Sequence, residues 1–144
     1  KLIKEDGKRV VLLGTEKEAE LLGRIKKSSP AEMIKVIPPV NLRVLAGLLR
    51  KSRLFIGNDS GMMHLAAMVG VPVLGIFGPG SPDTSGPYIA MEKQEMVTKN
   101  FTCSPCKQRF FKECKPSPLY KPYCLEDITV KDVHDAVRRL LERY

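Results

Sequence analysis

Residues 54–79 read LFIGNDSGMMHLAAMVGVPVLGIFGP, and this stretch decides the fold. Leu54-Phe55-Ile56-Gly57 is an apolar run of strand length, broken by the turn formers Asn58-Asp59-Ser60-Gly61. Met62 to Val69 supplies a helix, stopped by Gly70 with Pro72 just beyond. Val73 to Phe77 is a second apolar run, closed by Gly78-Pro79-Gly80. Strand, tight loop, helix, tight loop, strand is the βαβ unit, and it makes the two strands parallel.

Outward from this unit the alternation continues. Upstream, Val10 to Leu13 reads as a buried strand ended by Gly14-Thr15, and Glu16 to Lys27 as a helix with Ala19, Leu22 and Ile25 on one face. Met33 to Ile37 offers another strand, ended by Pro38-Pro39. Asn41 then caps a helix whose apolar stripe is Leu42, Leu45, Leu48 and Leu49. Downstream, Ser81 to Tyr88 turns to Pro, Gly, Ser and Asp and predicts a loop, and Met96 to Thr98 adds a strand. A four-cysteine basic insert at 103–124 carries four prolines and predicts no regular structure. The terminal helix 129–144 opens with Thr129 and Asp132 as a capping box, and Val130, Val133, Val137, Leu140 and Leu141 line one face. The expected fold class is α/β: one Rossmann-like domain over 1–144, a parallel sheet flanked by helices.

The 144 residues are 43% apolar and 28% charged, enough for a buried core and against wholesale disorder. No apolar run approaches the roughly 18 residues of a membrane-spanning helix. Lys1 to Arg9 is charged and leads directly into a strand without a signal-peptide pattern, as a cut inside a longer chain would. The net charge of +8 favours anionic partners. Half of that excess is local, because Lys107, Arg109, Lys112, Lys115 and Lys121 face only Glu113 between Cys103 and Cys124.

The chemistry concentrates at Asp59 to His64. Where a parallel strand gives way to a helix, free backbone N–H groups and the positive end of the helix dipole favour an anion. Ser60 and Gly61 stand at that junction, and Gly61 has no Cβ to hold a phosphate away. Asp59 would repel a phosphate but accept hydrogen bonds from vicinal hydroxyls, so a sugar beside a diphosphate satisfies both. His64, one turn on, is placed to donate to a phosphate or sugar oxygen, and Met62 and Met63 to contribute backbone N–H groups. Against this stand plainer roles: Asp59 or Ser60 as a helix cap, His64 as a packed histidine, and Leu65, Ala66, Ala67 and Met68 as core.

DSGMMHLAA followed by GVPVLGIFGPGSPDTSGPY resembles the C-terminal, donor-binding half of the lipopolysaccharide heptosyltransferases, glycosyltransferase family 9, in which D-[ST]-G-x-x-H-x-[AT]-A precedes a strand and a G-P loop. The likeness runs more loosely from Val10 to the terminal helix. It implies a two-domain GT-B enzyme, inverting and independent of metal for catalysis, in which this half binds an ADP-sugar such as ADP-heptose. The absent N-terminal half would bind the lipid A/core oligosaccharide acceptor and carry the general base, leaving no catalytic residue here and an isolated domain without turnover. Carried onto this chain, Ser60, Gly61 and Met62 would cradle the diphosphate, Asp59 would bind heptose hydroxyls, His64 would support the phosphate or sugar, and Gly14-Thr15 would lie at the nucleotide side. Lys35 stands where relatives often carry an acidic residue for the ribose, which leaves the nucleotide open.

Cys103, Cys106, Cys114 and Cys124 include one C-x-x-C pair, a spacing that suits a structural zinc ion, with disulfides and free thiols as alternatives. Their confinement to one segment, unlike a secreted disulfide framework, points to a cytoplasmic protein, and the basic insert to peripheral contact with the anionic inner membrane. Asp83, Thr84 and Ser85 lie in a loop able to close over a sugar or simply to face solvent. His134 reads as structural, and Tyr88, Tyr120 and Tyr123 as packing residues, with contact to a substrate as the alternative. Two other functions compete: a transferase using UDP- or GDP-sugars, and a basic zinc-containing nucleic-acid module. The absence of Trp and an aromatic content of 6% weaken the second, and no specific nucleic acid is expected.

Overall fold

The computed structural model describes residues 1–99, 101–106, 114, 118 and 122–143, and these form two compact units, Lys1–Leu45 and Ala46–Tyr144. In the first unit, strands β1 (Val10–Leu13) and β2 (Ile34–Ile37) pair in parallel, with Val10 opposite Ile34 and Leu13 opposite Ile37. Between them a 3-10 turn, Glu16–Glu18, precedes helix α1 (Ala19–Lys27), so the expected single helix starts as a tighter turn. On the predicted face of α1, Leu22 is half-buried, whereas Ala19 and Ile25 are exposed. Helix α2 (Leu42–Arg50) crosses the boundary between the units. Its first turn is fixed as expected, with the Asn41 side-chain oxygen accepting from the Val44 N–H at 3.0 Å. Leu45 and Leu49 are buried, but Leu42, at the helix start, is exposed.

The second unit holds the larger core. Strands β3 (Phe55–Asn58), β4 (Val73–Ile76) and β5 (Gln94–Val97) form a parallel sheet in that order. Helix α3 (Gly61–Met68) links β3 to β4 and ends as the sequence requires: Gly70 takes φ +81°, while its N–H and that of Val71 close onto Ala67 and Ala66 carbonyls. Val73, Leu74 and Phe77 are fully buried beside Met63 and Ala66. Met68, expected in the core, is exposed at the last turn of α3.

Helix α4 (Pro82–Ser85) is one turn inside the segment expected to be loop, and α5 (Tyr123–Glu126) gives the cysteine insert a helical turn that its prolines argued against. Helix α6 (Val130–Glu142) closes the unit. Its capping box is present: the Thr129 N–H and hydroxyl both meet Asp132 Oδ2, at 2.8 and 2.9 Å. The Thr129 N–H, the Lys99 ammonium and the Thr129 hydroxyl together lower the Asp132 carboxyl from 3.8 to about 2. Ala136, Val137, Leu140 and His134 are buried, so His134 packs within the helix's inner face, while Val130 at its start is exposed. Arg139 and Arg143 both pair with Glu95 of β5, at 2.8 and 2.9 Å, and fix the outer side of the helix to the sheet. Tyr88 is fully exposed, contrary to the expectation of packing, and Tyr123 is 43% exposed; Tyr120 lies outside the described residues. No described helix is long and apolar enough to cross a membrane.

Candidate functional site

β3 ends at Asn58, and α3 begins three residues later, leaving Asp59 and Ser60 as the whole connection. Ser60 is in extended conformation at the N-cap position, yet its hydroxyl makes no capping hydrogen bond. The ladder of the helix starts with the Met63 N–H donating to the Ser60 carbonyl at 3.0 Å. The N–H groups of Gly61 and Met62 precede that bond and carry the positive end of the helix dipole. Gly61 is exposed, and a Cβ placed on it would meet nothing within 4 Å. The space beside Gly61 at the start of α3 is therefore open.

The two methionines divide. Met62 is half-buried, whereas Met63 is fully buried and its N–H is engaged by Ser60, so Met63 anchors the turn from beneath rather than offering a donor. His64 follows on the same helix and is half-buried.

Asp59 does not cap α3. Its carboxylate is exposed, and its Oδ2 accepts a hydrogen bond from the Ser85 hydroxyl at 2.9 Å. Gly80 approaches from another side: a Cβ there would stand 2.7 Å from the same Oδ2. Of the loop residues weighed in the sequence, Asp83 and Thr84 face solvent and Ser85 turns inward. Gly80 is the site residue that sequence reasoning left unassigned, and Ser85, weighed there only as part of a loop able to close over a sugar, is the one that reaches Asp59. The available signal was Ser81-Pro82, a cap residue followed by proline at the first helical position, which starts the turn that delivers Ser85.

Gly14 and Thr15, expected at the nucleotide side, lie in the first unit. A Cβ on Gly14 would stand 2.8 Å from Leu22 Cδ1, so the glycine lets α1 pack close to the end of β1. The Thr15 N–H and hydroxyl each lie 2.8 Å from Glu18 Oε2, and these two bonds hold the Glu18 carboxyl below its ordinary value.

Within the second unit, Cys106 of the cysteine insert meets the loop after β4. The Cys106 N–H donates to the Pro79 carbonyl at 2.8 Å, and Leu125 of α5 fills the space over Gly78, where a Cβ would collide with it. Cys103 is exposed, and Cys106, Cys114 and Cys124 are half-buried. Burial pushes the Cys124 thiol up, and Cys114, Cys103 and Cys106 act on it in the same direction. Among the described residues no three His, Cys, Asp or Glu side chains are gathered closely enough to hold a metal ion. The basic residues expected beside them, Lys107, Arg109, Lys112, Lys115 and Lys121, lie outside the described residues.

Residues 1–115 match the profile of glycosyltransferase family 9 (heptosyltransferase). Lipopolysaccharide heptosyltransferase 1 of Pseudomonas aeruginosa is 32% identical over 115 residues, 80% of this chain and 30% of that protein. A family 9 glycosyl transferase from Veillonella parvula superimposes with a TM-score of 0.75 at 25% identity, over 96% of this chain and 38% of that one. An E. coli heptosyltransferase solved with ADP gives a TM-score of 0.60 at 26% identity, over 67% of this chain and 29% of that one. The chain thus spans about a third of the length of these proteins, and the α/β architecture of parallel sheets flanked by helices is the one they share with it.

Proposed function

The chain belongs to glycosyltransferase family 9, and we propose that it forms the donor-binding part of a heptosyltransferase, taking an ADP-linked heptose at Asp59 to His64. The observation that carries this reading is the junction of β3 and α3. There the N–H groups of Gly61 and Met62 come before the first bond of the helical ladder, the Ser60 hydroxyl makes no capping bond, nothing crowds Gly61, and Asp59 immediately precedes them in the chain. The donors suit the diphosphate, and the carboxylate suits the hydroxyls of the attached sugar. In this reading Met62 serves through its backbone and His64 supports the phosphate or sugar. ADP is chosen over UDP and GDP because an E. coli neighbour was solved with ADP.

Transfer would run as an inverting displacement without a metal ion, the helix dipole and backbone donors stabilising the charge that develops on the leaving diphosphate. The acceptor, a lipopolysaccharide core sugar on lipid A, and the general base that deprotonates its hydroxyl belong in this proposal to another part of the enzyme. The isolated domain would then bind donor without turnover, on the cytoplasmic side and against the anionic inner membrane.

Calorimetric titration with ADP, UDP and GDP tests the reading, repeated with ADP-heptose on the parent chain and on Asp59→Ala. Preference for ADP, with a further gain for ADP-heptose that Asp59→Ala abolishes, is the expected result. Equal affinity for the three nucleotides, or a heptose gain that survives the substitution, would overturn it.

A further inference from the structure

The turn that follows β4 holds the Asp59 carboxylate from two sides. Gly80 leaves just the room that Oδ2 occupies, since a Cβ there would come within 2.7 Å of Oδ2 and 3.8 Å of Cγ. From the end of α4 the Ser85 hydroxyl reaches the same oxygen at 2.9 Å. That hydroxyl also lies 3.0 Å from the Ser81 carbonyl, and the Ser85 and Thr84 N–H groups both donate to that same carbonyl, so the turn is closed on itself. A hydroxyl has one proton and here two acceptors. A charged carboxylate draws that proton more strongly than a neutral carbonyl, so the bond to Asp59 dominates. One oxygen of the exposed Asp59 is thereby engaged, and in the proposed donor site the other, Oδ1, is left to accept from a ligand.

We infer that Gly80 and Ser85 are positioning residues for the donor sugar: Gly80 provides the slot and Ser85 the hydrogen bond that together set the direction in which Asp59 meets sugar hydroxyls. The inference rests on the donor-site reading proposed above and deepens it, because it assigns the choice of sugar to a turn distant in sequence from the phosphate-binding helix. Neither residue belongs to the phosphate cradle at Ser60 to Met62. Their effect falls on the sugar and not on the nucleotide.

The test is the ratio of ADP to ADP-heptose dissociation constants, measured by calorimetry on the 144-residue chain, with folding followed by circular dichroism. In Ser85→Ala this ratio falls about tenfold, while the affinity for ADP alone moves far less, and Ser85→Thr restores it. Gly80→Ala, whose methyl displaces Oδ2, reproduces the Ser85→Ala pattern. In an Asp59→Asn background, Ser85→Ala adds nothing, as expected of a residue that acts through Asp59. A parent chain that binds ADP-heptose no better than ADP overturns the donor-site reading itself. A parent chain that does discriminate, with Ser85→Ala and Gly80→Ala discriminating equally well, overturns this inference alone.

Discussion

Gly61→Ala separates the fold of the second unit from its proposed chemistry. Gly61 is the first residue of α3, its φ is not in the left-handed region, and an added Cβ would meet nothing within 4 Å. Alanine therefore fits without strain and lowers the conformational entropy of the unfolded chain, a gain of about 0.5 kcal/mol. For a unit of this size that corresponds to a rise in melting temperature of about 2–4 °C. In the proposed donor site the same methyl would occupy the space through which a phosphate oxygen reaches the Gly61 and Met62 N–H groups. Loss of one hydrogen bond to a charged group is worth about 1.5–3 kcal/mol, or about 10- to 150-fold in the ADP dissociation constant. The assay is a pair of measurements on one sample, thermal unfolding by circular dichroism and ADP titration by calorimetry. A variant that melts higher and binds far more weakly is expected. A variant that binds ADP as tightly as its parent refutes the placement of the diphosphate over Gly61.

Gly78→Ala should act in the opposite sense, since its Cβ runs into Leu125; the overpacking costs about 1–3 kcal/mol and should appear as a lowered melting temperature that Leu125→Ala partly restores. Asp132 contributes stability above its unfolded value of 3.8 that is lost as pH falls toward about 2, because its folded carboxyl is depressed. Melting temperatures across that interval should fall more steeply for the parent than for Asp132→Asn, and parallel curves would remove the capping box from the acid response. In metal-free protein the exposed Cys103 should alkylate first and Cys124, whose thiol burial pushes up, last. The zinc site proposed from the cysteine spacing is tested by the same labelling after zinc addition: common protection of all four supports it, and an unchanged order ends it.

The elements most legible in the sequence were those whose periodicity and end signals agreed. The β3–α3–β4 unit was readable because the apolar runs, the Asp59 to Gly61 break and the Gly70 stop act on neighbouring residues. The Thr129 and Asp132 box and the Asn41 cap were readable for the same reason, each being a contact between residues three apart. What escaped depended on distance. Ser85 meets Asp59 across 26 residues, and Gly80 matters because of a carboxylate far from it in sequence. Composition hid α4 and α5, where proline at or before the first helical position starts a turn as readily as it marks a loop. Apolar stripes overstated burial at helix ends: Leu42, Met68 and Val130 continue a hydrophobic face beyond the sheet or core that would cover it.

The central claim is that the second unit receives the donor at the N-terminus of α3, and amide chemical shifts test it residue by residue. In a 15N-labelled chain titrated with ADP-heptose, the largest shifts should fall on Gly61 and Met62, with Asp59, Gly80 and Ser85 responding to ADP-heptose more than to ADP. Saturable binding that leaves Asp59 to His64 unmoved and shifts other residues instead would contradict the account.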